Sequence, residues 1–335
     1  AALKKAYDKE VLVSSGLSLI NNSSGEIVDR FKERTIFPIQ SYSGRTLGFG
    51  GRAFNANAKA KYLNSPETLI YHKSKVLYGL NLAKNTIGKE GICYIVEGYT
   101  DVISMHQSGI ENVVSASGTA LTLEQIKLIS RLAQNVVLLF DGDNAGIKAT
   151  YKSINMILKE GMNVKIAAFP EGDDPDSFSK KLSTEEFKSF LNNEAIDFID
   201  YKIKISQLES ISDPTKITTI KRDIIESISC IADSLNRSQY CKTYSKKLEI
   251  PEETLLSEVA KAKSSISKFE PSSLKVKSDT SPQNKKKEKL SPTEKLFKLE
   301  EEVLRILINY GNDTFTIEEE IESVASLIIS DLDAD

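Results

Sequence analysis

Cysteine and histidine are scarce in this 335-residue chain, and their scarcity removes several chemistries at once. Cys93, Cys230 and Cys241 are too few and too scattered for a disulfide framework or a four-thiolate zinc site, so they are expected to be buried small hydrophobes. His72 and His106 have no partner at ligand spacing, and a packing or surface role is expected for both. No apolar run approaches the roughly 20 residues that a membrane-spanning helix needs. The opening AALKKAYDKEVL lacks the basic, then apolar, then small pattern of a secretory leader, and the missing initiator Met reads as a fragment or processed chain. A cytoplasmic setting is therefore expected. There is no internal repeat and no GxxxxGK[ST] phosphate loop. A basic excess is also missing: the formal net charge is -3, which by its sum argues against a nucleic-acid partner.

What the chain does have is an uneven distribution of charge. Arg30, Lys32, Arg34, Arg45, Arg52, Lys59, Lys61, Lys73 and Lys75 crowd the first quarter, whereas carboxylates crowd residues 97–176 and the C-terminal end. That asymmetry suits a basic surface beside an acidic metal site.

At this length more than one packed unit is expected. Residues 1–88 alternate short apolar strands with glycine turns around RTIFPI (34–39) and TLGFGGR (46–52), a small mixed subdomain. Over 89–180 the pattern becomes continuous apolar strands, each followed by a helix: ICYIV (92–96), NVVSA (112–116), NVVLLF (135–140) and VKIAAF (164–169). This is the signature of an α/β domain with a parallel sheet covered on both faces. Thr122 and Gln125 form a capping box that starts a helix running to about Ala133. Beyond residue 183 the strands are expected to stop. Ile217, Ile220, Ile224, Ile228 and Ile231 then give a helical stripe, so 181–263 is expected to be a helical subdomain. Residues 264–292, rich in Ser, Lys and Pro, are expected to be a flexible tether, with a further helical domain over 293–335.

In an open parallel sheet the crevice past the carboxyl ends of the strands takes the ligand. Glu97 directly follows ICYIV, with Gly98 expected to let the chain turn and Asp101 arriving near the next helix start. Asp141 and Asp143 follow NVVLLF, and Asp173, Asp174 and Asp176 follow VKIAAF after a Pro-Glu-Gly turn. Crowded carboxylates repel one another and resist desolvation, which a divalent cation relieves. Hard oxygen ligands suit Mg²⁺, and an Asp-Gly-Asp turn facing a Glu suits two neighbouring ions. Each residue taken singly has a plain alternative, since Asp101 and Asp143 can serve as helix caps and Asp173 as a solvated loop charge. Their joint arrival at three strand ends carries the metal-site reading.

On the basic side, the adjacent glycines of GFGGR with Arg52 offer a phosphate cradle, against the alternative of a glycine-rich hairpin. Lys59, Lys61, Tyr62, Tyr71, His72, Lys73 and Tyr78 interleave cations with aromatics as single-strand binders do, or form a solvated lysine face over packed rings.

EGYTD (97–101), DGDNAG (141–146) and DDPD (173–176) resemble, in order and strand context, the acidic motifs of the Toprim fold. The upstream blocks DRFKERTIFPI (29–39), RTLGFGGR (45–52), KYLNSPET (61–68) and HKSKVLYGL (72–80) resemble the DnaG-type bacterial primases. The resemblance covers residues 1–180 by motif and reaches about 262 by position. It implies template-directed RNA synthesis from ribonucleoside triphosphates on single-stranded DNA by two-metal phosphoryl transfer. Glu97, Asp141 and Asp143 would hold Mg²⁺ or Mn²⁺, with Asp101, Asp174 and Asp176 completing the acidic site. Arg52, Lys61 and Lys73, with Arg34 nearby, would lie on the surface for template and nucleotide. The family's N-terminal zinc-binding module is not in this sequence, so no zinc is expected. The resemblance further implies a monomer whose C-terminal region meets the replicative helicase. The rival readings are a Toprim-type nuclease, a phosphatase with a DxD nucleophile, and a non-catalytic nucleic-acid adaptor.

Overall fold

The computed structural model describes residues 3–269, apart from 22–23, 56–57, 59, 119, 141–143, 171 and 209–213, together with 314–317 and 320–323. The chain divides into two units, Ala1–Pro271 and Ser272–Asp335.

The first unit opens with helix α1 (Lys9–Ser14) and an antiparallel pair, β1 (Ser18–Ile20) with β2 (Ile27–Asp29). A three-stranded antiparallel sheet follows in the order β3 (Arg34–Gln40), β4 (Thr46–Ala53), β5 (Tyr62–Asn64). The glycine-rich strand is thus the central one. Gly50 is required there by packing: a Cβ at that position would lie 2.5 Å from the ring of Tyr99. The inner face of this sheet, Phe37 and Ile39, closes over Tyr71 and Tyr99 as a small aromatic core.

Helix α2 (Leu80–Glu90) leads into the main sheet. Its chain order is β6 (Ile92–Val96), α3 (Tyr99–Gln107), β7 (Val113–Ser115), α4 (Leu123–Ser130), β8 (Asn135–Phe140), α5 (Asn144–Lys159), β9 (Asn163–Ala168), α6 (Pro175–Ser179), α7 (Thr184–Glu194) and β10 (Ile196–Asp197). The spatial order is β10-β9-β8-β6-β7, with β9, β8, β6 and β7 parallel. The expected strands fall within one residue of those observed. The capping box is present: Gln125 N donates to Thr122 Oγ1 at 3.2 Å and Thr122 N to Gln125 Oε1 at 3.0 Å. Strands do not end at residue 183, because β10 adds an antiparallel edge against β9. With only two residues it carries no alternation to read.

Both faces of the sheet are covered. One face packs Ile95, Val114, Leu138 and Ile166 against α2, α4 and α5, in a core that continues into the helical layer. The other packs Val96, Val113, Leu139 and Ala167 against Val102, Met105 and Phe187. The helical layer is α8 (Phe198–Leu208), α9 (Pro214–Cys230), α10 (Ser234–Tyr244) and α11 (Glu252–Phe269). Of the isoleucine stripe, Ile224, Ile228 and Ile231 are buried and Ile220 packs against the same core, while Ile217 is exposed. Helix α11 runs past residue 263 to Phe269, so the tether does not begin at 264. The reason is legible in the spacing, since Ile266 and Phe269 continue the helical repeat from Val259. No described helix is long and apolar enough to cross a membrane.

In the second unit the described residues form one antiparallel pair, β11 (Thr314–Ile317) with β12 (Glu320–Ser323). These residues, expected within a helical domain over 293–335, are strands, favoured by the β-branched and aromatic run Thr-Phe-Thr-Ile. The helix expected from Thr293 lies outside the described residues.

Candidate catalytic edge

Strands β9, β8 and β6 are consecutive and parallel, and the pairs Ile95↔Leu138 and Phe140↔Ala168 fix their register. Glu97 leaves β6, Asp141 leaves β8, and the 173–176 segment follows β9, all past the carboxyl ends of neighbouring strands. Topology alone therefore brings the three acidic segments to one sheet edge. Asp141 and Asp143 themselves lie outside the described residues.

Glu97 is exposed, immediately beyond the buried Val96. Its backbone is anchored: Ser115 Oγ, fully buried at the end of β7, donates to Glu97 O at 2.6 Å and also receives Ser117 N at 2.8 Å. Ser117 adopts a left-handed φ of 56°, and its carbonyl accepts from Asn64 Nδ2 at 3.0 Å. Ser115, Ser117 and Asn64 thus position Glu97 from behind. Nothing in their sequence context signals this, because isolated serines and asparagines at strand ends and in loops are common.

Tyr99 joins the two subdomains directly after the acidic turn. Its ring stacks on Phe37 at 5.1 Å and meets Tyr78 edge-on at 4.7 Å, while its hydroxyl donates to Asn64 Oδ1 at 2.9 Å. Burial pushes the phenol well above its ordinary pKa. Gly98 is extended, with φ of -117°, so the chain turns there without the left-handed conformation. Glycine serves a different purpose, since a Cβ would approach Asp101 Oδ2 to 3.0 Å.

The remaining carboxylates are engaged by the protein. Asp101 is buried in the first turn of α3 and accepts from Gly98 N at 2.8 Å. Asp174 caps α6, accepting from Ser177 N at 2.6 Å. Asp173, expected as a solvated charge, is instead held by Lys181 Nζ at 2.6 and 2.8 Å. Asp176 accepts from Ser104 Oγ on α3 and from Lys180 Nζ at 2.6 Å, so it clasps α6 to α3. Burial alone would raise the pKa of Asp176. The bonds from Lys180 and Ser104 and the positive charges of Lys180 and Arg52 outweigh it and leave the value below the ordinary 3.8.

A depressed folded-state pKa means that the clasp contributes stability which is full above the unfolded value near 3.8 and lost as pH falls through the lower, folded value. Asp176→Asn is therefore expected to flatten the acid limb of a thermal-melt profile below about pH 4. An unchanged profile would show that the clasp carries no net stability.

The influence of Arg52 on Asp176 links the basic sheet to the acidic edge. Arg52 leaves β4 with its guanidinium 5.7 Å from the centroid of the Tyr62 ring, a cation–π arrangement. Tyr62 is exposed and its hydroxyl lies 3.5 Å from Thr100 Oγ1. This cation–aromatic pair suits stacking of a strand. Tyr71 and Tyr78 do not, because both belong to the aromatic core; burial pushes Tyr71 up to about 12. Lys61 is exposed beside Tyr62. Arg34 donates to the carbonyls of Ala60 at 2.9 Å, Gly51 at 3.1 Å and Lys61 at 3.3 Å, so it staples the 60–61 segment to β4. Lys73 lies in a turn pinned on both sides: its N–H donates to Glu67 Oε1 at 3.0 Å, and its carbonyl accepts from the buried Gln125 at 3.0 Å. The paired backbone of Gly50 and Gly51, between β3 and β5, accounts for GFGGR without a phosphate cradle. Lys59 lies outside the described residues. Among those described, no group of three Cys, His, Asp or Glu side chains is assembled for a metal.

A parallel sheet of this order, with acidic segments past three adjacent strands and a basic antiparallel sheet packed alongside, defines a Toprim-type catalytic architecture. A family model for the N-terminal domain of the DNA primase catalytic core matches residues 1–84, and a Toprim-like model matches 94–179. Among solved structures, a DNA primase domain from Pseudomonas aeruginosa matches with 31% identity and a TM-score of 0.67, covering 77% of this chain and 83% of that one. The zinc-binding and RNA polymerase domains of the Aquifex aeolicus primase match with 33% identity and a TM-score of 0.65, over 76% and 61% of the two chains. The DNA primase of Clostridium acetobutylicum is 42% identical over 253 residues, 75% of this chain and 41% of that protein. The chain belongs to the bacterial DnaG primase family, and it carries that family's catalytic core. It spans about two fifths of the length of this curated primase.

Proposed function

We propose that this chain is a primase core that joins ribonucleotides into short RNA on a single-stranded DNA template. The observation that carries the reading is that β6, β8 and β9, which Glu97, the 141–143 segment and the 173–176 segment follow in the sequence, are neighbouring parallel strands ending at one sheet edge, beside Arg52 and Tyr62. One solved relative is described as a DnaG primase catalytic domain bound to single-stranded DNA, at 31% identity and a TM-score of 0.64.

The donor set at the edge consists of carboxylate oxygens, the chemistry that Mg²⁺ or Mn²⁺ takes and zinc in a structural site does not. Glu97, Asp141 and Asp143 would hold the ions. Asp101, Asp174 and Asp176, each committed to a protein partner, hold the surrounding turns in place. Bound at this edge, the metal supplies activation of a hydroxyl nucleophile and neutralisation of the departing diphosphate. The chain's own residues contribute the rest. Ser115 fixes the backbone of Glu97, and Tyr99 locks the acidic turn to the basic sheet. Arg52 and Lys61 present positive charge to template phosphates, Tyr62 offers a ring to a base, and Arg34 holds the segment that carries Lys61. Lys73 extends the basic surface from its pinned turn. A cytoplasmic monomer is the form in which this core would act, with helicase contact left to the second unit.

Incorporation of labelled ribonucleotides on single-stranded DNA with Mg²⁺ or Mn²⁺ tests the reading against Asp141→Ala. Short RNA that disappears in the variant is expected. Cleaved template in place of RNA would favour a nuclease, and tight template binding without chemistry or metal binding would favour an adaptor.

A further inference from the structure

Away from the acidic edge, helices α10 and α11 enclose a groove of about 480 Å³ lined by Arg237, Lys263, Ser234, Ser238 and Ser264 over a floor of Leu256 and Val259. Among the described residues that line it there is no carboxylate. Arg237 Nη1 donates to Ile231 O at 2.7 Å and Ala232 O at 3.3 Å, and Lys263 Nζ donates to the same Ile231 carbonyl at 3.2 Å. Both cations are thus gathered at the C-terminal end of α9. A helix terminus offers only about half a unit of negative charge. Two full positive charges converge on it, more than the terminus by itself offsets. Among the described residues the hydrogen bonds of Arg237 all leave from Nη1, which leaves Nε and Nη2 as unspent donors. Burial first, and then the neighbouring Arg237, hold the Lys263 ammonium below its ordinary pKa.

We propose that this groove is a second anion site, which takes a phosphate group between Arg237 and Lys263 with the hydroxyls of Ser234 and Ser238 as additional donors. The guanidinium fork and the hydroxyls match tetrahedral oxyanions. The same chemistry is offered by a free diphosphate and by the backbone of a nucleic-acid strand.

Hydrogen–deuterium exchange of the whole chain in EDTA, which silences the metal-dependent edge, separates these sources when inorganic pyrophosphate and a single-stranded oligothymidylate are the probes. Protection of residues 231–264 by pyrophosphate assigns a free phosphate; protection by the oligonucleotide alone assigns a strand. Ser238→Glu, at an exposed position, places a carboxylate in the groove and is expected to abolish protection by either probe. Lys263→Gln is expected to raise the half-saturating concentration at least tenfold. With the oligonucleotide it should also reduce the steepness of the log–log salt dependence by about 0.7. No protection by either probe, or protection that both variants retain, overturns the proposal.

Discussion

Tyr99→Ala is expected to lose about 3–5 kcal/mol of stability, the range for deleting a buried aromatic side chain. The side chain is 2% exposed, stacks on Phe37, abuts Tyr78 and covers Gly50. Its loss opens a cavity between the basic sheet and the start of α3, where neither wall collapses readily because β4 is held by two neighbouring strands. Activity should fall further than stability alone accounts for, since Tyr99 follows the Glu97 turn and its hydroxyl bonds Asn64, which in turn holds Ser117. Tyr99→Phe keeps the ring and removes one hydrogen bond, so it should cost about 1 kcal/mol and preserve most activity. Chemical denaturation of both variants, alongside ribonucleotide incorporation, checks the pair. Equal losses for Phe and Ala would mean that the hydroxyl, and not the ring, holds the subdomains together.

The same residue shows what the sequence makes legible and what it hides. Strands such as NVVLLF are readable because a fully buried parallel strand must be apolar on both faces, and their order then places Glu97 and Asp141 at one edge. Thr122 and Gln125 are readable because a capping box is a local event. Tyr99 sits inside the recognised EGYTD motif, yet its partners Phe37, Asn64 and Gly50 come from strands at least 35 residues away in the chain. No spacing rule reports such contacts. GFGGR is ambiguous for the same reason, as glycine marks close approach of another chain segment as well as of a phosphate. Asp101 and Asp174 show the converse, acidic residues of the Toprim-like motifs that accept from backbone N–H groups. Composition cannot separate a cap from a ligand, because both ask for a carboxylate oxygen at a turn.

Asp223→Ala is expected to cost about 3–5 kcal/mol, although Asp223 is itself about one-third exposed. The cost comes from its partner. Lys202 is 1% exposed on α8, and its ammonium donates to Asp223 Oδ2 at 2.6 Å and Ser227 Oγ at 2.7 Å; Ser227 then donates to Asn155 Oδ1 on α5 at 2.6 Å. Burial lowers the pKa of Lys202, opposed by the charge and hydrogen bond of Asp223. Removing Asp223 takes away the carboxylate that holds a desolvated ammonium beneath α9, leaving it Ser227 and the more distant charge of Glu226. Lys202→Met is the milder change, since its straight chain fills similar space and the remaining carboxylate still reaches water; a loss under about 1.5 kcal/mol is expected. Combining Lys202→Met with Asp223→Ala should return most of the stability that Asp223→Ala alone loses, because no buried charge is then left behind. Urea unfolding of the two single variants and the double completes the cycle. If the two single losses were equal and additive, the pair would be acting as two independent surface groups, and the burial of Lys202 would carry no energetic weight. The asymmetry also bears on function: α5 begins directly after the Asp141–Asp143 segment, so the Ser227–Asn155 bond ties the helical layer to the element that carries that segment. Asp223→Ala should therefore weaken metal-dependent synthesis at temperatures where the chain is still folded, whereas Lys202→Met should leave it close to the parent.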